Sequence, residues 1–219
     1  MDGVFVTGTG TEVGKTVVAA AFARTLADAG GTVAVFKPAV TGLEDAGEPD
    51  HALLRRAAGS EQSDDQIAPY RYEPPASPHF AARIAGRQID PARLLAVARE
   101  AAAGADALVA EGVGGLLVPL TPRYLVRDLA AELGLPLAIA ASPGLGTINH
   151  TLLTVEAARA AGLAVAAVVL TTWPRSPSRL EESNRQTIAS LAEVRVETLP
   201  LLDLRDPGSW PALPLPPAG

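Results

Sequence analysis

The stretch Val4-Phe5-Val6-Thr7-Gly8-Thr9-Gly10-Thr11-Glu12-Val13-Gly14-Lys15-Thr16 reads as a short apolar run, a glycine-rich turn and a Gly-Lys-Thr triplet. After it, Val18, Phe22 and Leu26 recur at the spacing of one helix face. A buried strand turning through glycines into a helix N-terminus surrounds an anion with backbone N–H groups. In such a loop Lys15 reaches the β- and γ-phosphates of a nucleotide, and the Thr16 hydroxyl sits on Mg²⁺. The usual spacing would place the first glycine where Thr9 stands; Gly8 lies one residue too early, so the loop is a lengthened variant. The competing reading is a plain strand-to-helix turn that happens to contain Gly-Lys-Thr.

Outward from this loop, Val33–Phe36, Ala107–Ala110, Leu137–Ala140 and Val165–Leu170 are apolar without alternation, as strands buried on both faces are. Helical stretches lie between them. Thr16–Ala29 follows the loop. Asp90–Ala103 opens on a candidate N-cap with Pro91 at the first helical position. Ile148–Ala161 carries Ile148, Leu152 and Val155 on one face, and Ser178–Leu191 opens on a Ser178/Glu181 capping box. Alternating strands and helices predict a doubly wound α/β fold, with a mostly parallel sheet and helices on both faces in a single domain over residues 1–206. Residues 59–79, with Pro69, Pro74, Pro75 and Pro78, are expected to cross the surface as a long loop. The proline-rich tail 207–219 (Pro207, Pro211, Pro214, Pro216, Pro217) is expected to be extended and loosely held.

Composition narrows the function classes. The net charge of −6 over 219 residues gives no footprint for nucleic acid. The absence of cysteine excludes disulfides, thiolate nucleophiles and thiolate metal sites. No apolar run reaches the roughly 18–20 residues of a membrane helix. Met1-Asp2-Gly3 lacks a basic leader, so a soluble cytoplasmic protein is expected.

Lys37 ends the second apolar run, at the strand edge where doubly wound folds bind ligands. It is either a second cation for a transferring phosphoryl group or a solvated surface charge. Glu111 ends the third run. It is a candidate Mg²⁺ ligand or a sheet-end carboxylate in a structural hydrogen bond. Asp50 precedes the helical run His51–Ala58 and has an obvious reading as an N-cap. His79 and His150 have no partner at zinc-ligand spacing.

Gly-Thr-x-Thr-x-Val-Gly-Lys-Thr at 8–16 resembles the lengthened P-loop of the dethiobiotin synthetases. Lys37-Pro38 with Thr41-Gly42, Ser77-Pro78-His79, Glu111-Gly-x-Gly-Gly115 and Leu145-Gly-Thr-Ile-Asn-His150 follow in that family's order. The resemblance runs from about Val4 to about Leu202. It implies that 7,8-diaminononanoate is carboxylated by CO₂ at one amine. The carbamate is then phosphorylated by ATP, and the neighbouring amine closes the ring with loss of phosphate. The implied catalytic residues are Lys37, Lys15, Thr11 and Thr41. The implied nucleotide set is Glu12, Val13, Gly14, Lys15, Thr16, Val17, Asp50, Glu111, Gly112, Val113 and Gly114, with Thr172, Trp173, Pro200, Leu201 and Leu202 on the base side. Thr16, Asp50 and Glu111 match the Mg²⁺ positions. Thr41, Gly146, Thr147, Ile148 and Asn149 would hold substrate, the last four across a homodimer interface; from the residues alone, 144–149 is equally another strand-to-helix turn.

The chain departs from the family where an adenine-reading Asn usually follows the strand ending at Leu170: Thr171-Thr172-Trp173-Pro174 stands there. A single hydroxyl and a stacking indole discriminate bases poorly, so relaxed nucleotide selectivity is expected. The alternative function is a P-loop partitioning or regulatory ATPase acting as a dimeric switch. Such proteins usually carry a signature lysine early in the loop, where this chain has Thr9, and a basic surface that an acidic chain lacks. A GTPase would need an Asn-Lys-x-Asp motif, which does not occur. A glutamine-using synthetase would need a catalytic cysteine.

Overall fold

The structure is a computed structural model that describes residues 2–43 and 47–215. In chain order the elements are β1 (Gly3–Gly8), α1 (Lys15–Asp28), β2 (Val33–Phe36), α2 (Asp50–Ala58), α3 (Asp64–Ile67), α4 (Pro78–Ile84), α5 (Pro91–Ala103) and β3 (Ala107–Glu111). These are followed by β4 (Pro119–Thr121), β5 (Tyr124–Leu125), α6 (Val126–Leu133), β6 (Leu137–Ala141), α7 (Thr147–Ala160), β7 (Val165–Trp173), α8 (Arg179–Ala192) and β8 (Val196–Pro200). A 3₁₀ turn spans Pro207–Ser209.

Six strands form one parallel sheet in the order β2-β3-β1-β6-β7-β8, and β4 and β5 make a separate antiparallel hairpin. Successive side chains of β1 explain the two covered faces. Val4 and Val6 pack in one core with Val18 and Phe22 of α1 and Leu54 of α2. Phe5 points the other way, into a core with Leu94 of α5 and Leu129 of α6. A smaller cluster joins Ile139 and Val168 of the sheet to Val155 of α7 and Ile188 of α8. The doubly wound sheet read from the sequence is the one observed.

Two helix starts follow their local chemistry. Asp90 accepts from the Ala92 N–H at 2.9 Å with Pro91 beginning α5, and Ser178 and Glu181 form the capping box of α8. Asp50 differs from expectation: Pro49 is the N-cap, Asp50 is the first helical residue and its side chain caps nothing, being drawn to Lys37 instead.

Residues 59–79 are more ordered than a surface loop. They contain α3, and Ile67, Ala68, Tyr70 and Tyr72 are buried. Val40 bridges to Arg71, with the Val40 N–H donating to the Tyr70 carbonyl and the Tyr72 N–H to that of Val40, so this segment braces the chain leading to Thr41. At the β2 edge the Gln62 side-chain amide takes the place of a further strand: its Oε1 accepts from the Val35 N–H at 2.8 Å and its Nε2 donates to the Val35 carbonyl at 3.1 Å.

The tail is also tighter than expected. Leu213 is buried against the α1 side of the sheet, and its N–H donates to Thr25 Oγ1 at 2.8 Å. An apolar side chain with a place in the core outweighs the proline content. Pro216 and Pro217 lie outside the described residues.

Candidate active site

The parallel sheet brings the C-terminal ends of β1, β2 and β3 side by side, with Val6 of β1 opposite Glu111 of β3. Each strand end carries or leads to a charged residue: the β1 loop leads to Lys15, β2 is followed by Lys37, and β3 ends at Glu111. All three are buried. They line a cavity of about 530 Å³ together with Thr11, Glu12, Gly14, Thr16, Val17, Thr41, Asp50, Val113 and Gly114.

The loop reaches this position through its backbone. Glu12 has a φ of 59° and Gly14 a φ of 82°, so the chain turns left-handed twice before α1 begins. At Gly14 a Cβ would also be crowded, lying 3.0 Å from Thr171 Cγ2. The Thr9 N–H donates to the Ala140 carbonyl at 3.0 Å, tying the loop to β6.

The charges interlock. Lys37 Nζ donates to Glu111 Oε1 at 2.6 Å and pairs with Asp50 Oδ2 at 2.9 Å, and Thr16 Oγ1 donates to the same Glu111 oxygen at 2.9 Å. Lys15 Nζ donates to the Gly10 carbonyl at 2.8 Å. Burial pulls the Lys37 pKa down, but Glu111 and Asp50 outweigh it and hold the ammonium charged above its ordinary value. Burial pushes Glu111 up, against the pull of Lys37. Burial also lowers Lys15, with Lys37 adding to the fall and Glu111 opposing it. Asp50 is raised by burial but lowered further by Lys37, and stays below its ordinary value.

Glu111 Oε2 is buried and, among the described residues, has no hydrogen-bond partner. Beside it stand the Thr16 hydroxyl and the Asp50 carboxylate, an all-oxygen donor set of the kind a hard divalent cation takes. Among the described residues no group of three or more His, Cys, Asp or Glu could hold a metal unaided. Two carboxylates and a hydroxyl fit Mg²⁺, which is commonly held by one or two carboxylates and completed by substrate phosphates.

Other sequence-predicted residues lie apart from this cavity. Val13 turns its side chain toward the α1-side core, and Gly112 is buried where a Cβ would meet Val126 and Phe5. Thr172, Trp173, Pro200, Leu201 and Leu202 gather beyond the cavity at the ends of β7 and β8, where Trp173 pairs with Pro200. Gly146, Thr147, Ile148 and Asn149 sit at the start of α7; Asn184 Nδ2 steadies the preceding turn by donating to the Pro143 and Gly144 carbonyls. Between the loop and α7 lies a second groove of about 460 Å³, lined by Thr11, Leu117, His150 and Leu153 among others. Sequence reasoning missed Thr171, whose hydroxyl donates to the Val13 carbonyl at 2.9 Å. It also missed Leu204, which lines the main cavity.

A family profile described as an AAA domain matches residues 2–202. An ATP-dependent dethiobiotin synthetase from Anaeromyxobacter dehalogenans is 50% identical over 78% of this chain and 76% of its own length. A protein of the same name from Rhodococcus erythropolis is 42% identical over 93% and 88%, and one from Bacillus thuringiensis 40% identical over 90% and 81%.

The chain belongs to the dethiobiotin synthetase family.

Among solved structures, a ParA family ATPase from Chlorobium tepidum superposes with a TM-score of 0.57 at 14% identity, over 93% of this chain and 88% of its own. The septum site-determining protein MinD from Pyrococcus horikoshii gives 0.54 at 17%, over 91% and 81%. At such identity the likeness is one of fold. It places this dethiobiotin synthetase family member on the same sheet architecture as those two proteins, while the partitioning-ATPase alternative gains nothing beyond that. Among the described residues no helix is long and apolar enough to cross a membrane.

Proposed function

We propose that this protein is an ATP- and Mg²⁺-dependent cyclo-ligase of biotin synthesis that converts 7,8-diaminononanoate and CO₂ to dethiobiotin, the compound in its relatives' name. The observation that carries this reading is the convergence of Lys15 and Lys37 on one cavity at the phosphate loop. A loop that only binds nucleotide needs Lys15. A second buried ammonium, held charged by two carboxylates, suits a phosphoryl group that must move to an acceptor.

In this reading the loop backbone and Lys15 bind the triphosphate, and Lys37 offsets the charge that builds as the γ-phosphoryl passes to the carbamate oxygen. Bound Mg²⁺, held by Thr16, Asp50 and Glu111, would neutralise phosphate charge. Thr11 lines both the main cavity and the second groove, and Thr41 lines the first, so both stand where the diamine end of substrate would meet the phosphates. The second groove, with Leu117 and Leu153 on its wall, suits the aliphatic chain of the acid. The carbamic-phosphoric anhydride is opened by the neighbouring amine, forming the ring C–N bond and releasing phosphate.

The start of α7 favours a carboxylate through the N–H groups of its first turn beyond Thr147, whose own N–H donates to the Gly144 carbonyl. It lies outside the phosphate cavity of its own chain. This reading includes a homodimer in which Gly146–Asn149 of one copy serves the substrate of the other, and that separation supports it. Leu145, 91% exposed just before this turn, is an apolar side chain that such a partner would cover.

The test is a reaction with ATP, Mg²⁺, bicarbonate and the diamino acid. Dethiobiotin identified by mass, one phosphate released per product, is the expected result. ATP hydrolysis at the same rate without the diamino acid would overturn the ligase reading. A fully active monomer by sedimentation would overturn the dimer.

A further inference from the structure

Thr171 is buried near the end of β7, and its hydroxyl reaches the phosphate loop at Val13, beside the left-handed turn at Gly14. Its Oγ1 lies 2.9 Å from the Val13 carbonyl oxygen and 3.3 Å from that of Ala141, so its single proton is shared by two acceptors of the chain. Its Cβ and Cγ2 lie 3.1 and 3.0 Å from where a Cβ at Gly14 would stand, closing the space beneath the left-handed turn. The Val13–Gly14 peptide is planar and trans, so its carbonyl and its N–H point in opposite directions. A hydroxyl that holds the Val13 carbonyl toward β7 therefore aims the Gly14 N–H the other way, and among the described residues this N–H makes no hydrogen bond.

From this juxtaposition we infer that Thr171 is a positioning residue of the phosphate loop, fixing the Val13–Gly14 peptide so that the Gly14 N–H is presented to a phosphate oxygen. It acts on the triphosphate and not on the base, because its proton is spent on the loop. The inference rests on the nucleotide-binding reading of the same loop.

The experiment compares wild type with Thr171→Val, which keeps the shape and loses the hydroxyl, and Thr171→Ser, which keeps the hydroxyl. Calorimetric titration uses ADP, CDP, GDP and inorganic tripolyphosphate. Thr171→Val is expected to weaken all four by the same factor of roughly ten, the scale of one lost hydrogen bond to a partly buried carbonyl, and Thr171→Ser to restore them. Should Thr171→Val not fold, Thr171→Ala against Thr171→Ser makes the same comparison. A purely structural threonine would lower the melting temperature and leave tripolyphosphate affinity unchanged; that result, or a loss that depends on the base, would overturn the inference. Wild-type protein that binds none of the four would overturn instead the nucleotide reading beneath it, and one that binds the nucleotides but not tripolyphosphate would overturn the claim that Thr171 acts through the phosphates.

Discussion

Lys37 Nζ and Glu111 Oε1 lie 2.6 Å apart at the ends of two adjacent parallel strands, and both residues are buried. Neither charge would be tolerated there alone, because an isolated ion loses its hydration without replacement. The pair thus makes the second ammonium of the site possible, and it ties chemistry and stability to the same contact.

Lys37→Ala is expected to lower turnover by roughly 10²–10³, the cost of one electrostatic transition-state contact. It should also destabilise the fold by about 3–5 kcal/mol, because Glu111 is left buried without its partner. Adding Glu111→Gln should recover stability and leave turnover low. Urea unfolding and kcat of the single and double variants check this; near-normal kcat in Lys37→Ala removes that residue from the chemistry.

Lys15→Ala should lose turnover on the same scale while melting close to wild type, since among the described residues the Lys15 ammonium hydrogen-bonds only the Gly10 carbonyl and makes no direct ion pair. A large fall in melting temperature would contradict this separation of the two lysines.

Glu111→Gln should raise the Mg²⁺ concentration needed for half-maximal activity, because one anionic oxygen is replaced by a neutral one in a small oxygen set. An unchanged Mg²⁺ titration would leave Glu111 with its role toward Lys37 alone.

The legible part of this molecule is the part whose physics is local. Val4–Thr7 and Val33–Phe36 read as strands because both faces are buried, and Gly14-Lys15-Thr16 announces a helix start that an anion can use. The edge strand β8 was not legible, since Leu199 is its one fully buried residue and its other positions are half-exposed. Asp50 read as a cap because local sequence knows nothing of Lys37, which reaches it from another strand end. Thr171 and Val13 are 158 residues apart, so no pattern along the chain could have joined them. The same distance hides what lines the base side, where the structure puts Thr172, Trp173 and Pro200 near one another without any of them entering the phosphate cavity.

ATP, CTP, GTP and UTP should support turnover within about tenfold of one another, or ~1.4 kcal/mol. Thr171 spends its hydroxyl on the loop, Pro200 has no N–H, and Trp173 can stack on any base. Values of kcat/KM under one set of conditions check this, and a preference for ATP above about a hundredfold (~2.7 kcal/mol) would mean that another group reads adenine.

Stability should fall as the pH drops below the ordinary histidine value of 6.5, through His51. Burial lowers its pKa, helped by Arg71 and Arg55 and opposed by Asp64, whose Oδ2 lies 3.6 Å from Nε2. The folded state therefore resists a proton that the unfolded chain accepts. This contribution is complete above 6.5 and is lost toward the lowered folded value. Melting curves of wild type and His51→Asn between neutral and mildly acid pH should converge as the pH falls; parallel curves would refute the assignment.

Gln62 gives the sheet a finished side. A bare outer strand is a template on which any extended peptide can copy itself, and parallel sheets are especially exposed to this while they fold. Here the amide of one side chain consumes both outward groups of Val35, and the Ile67 carbonyl takes the N–H of Lys37 just beyond. Strand-by-strand growth is thereby barred beside β2, the same strand that leads to Lys37. Joining of two copies through the six-stranded sheet would have to begin at β8, on its far margin, leaving the margin that carries Lys37 free of such traffic.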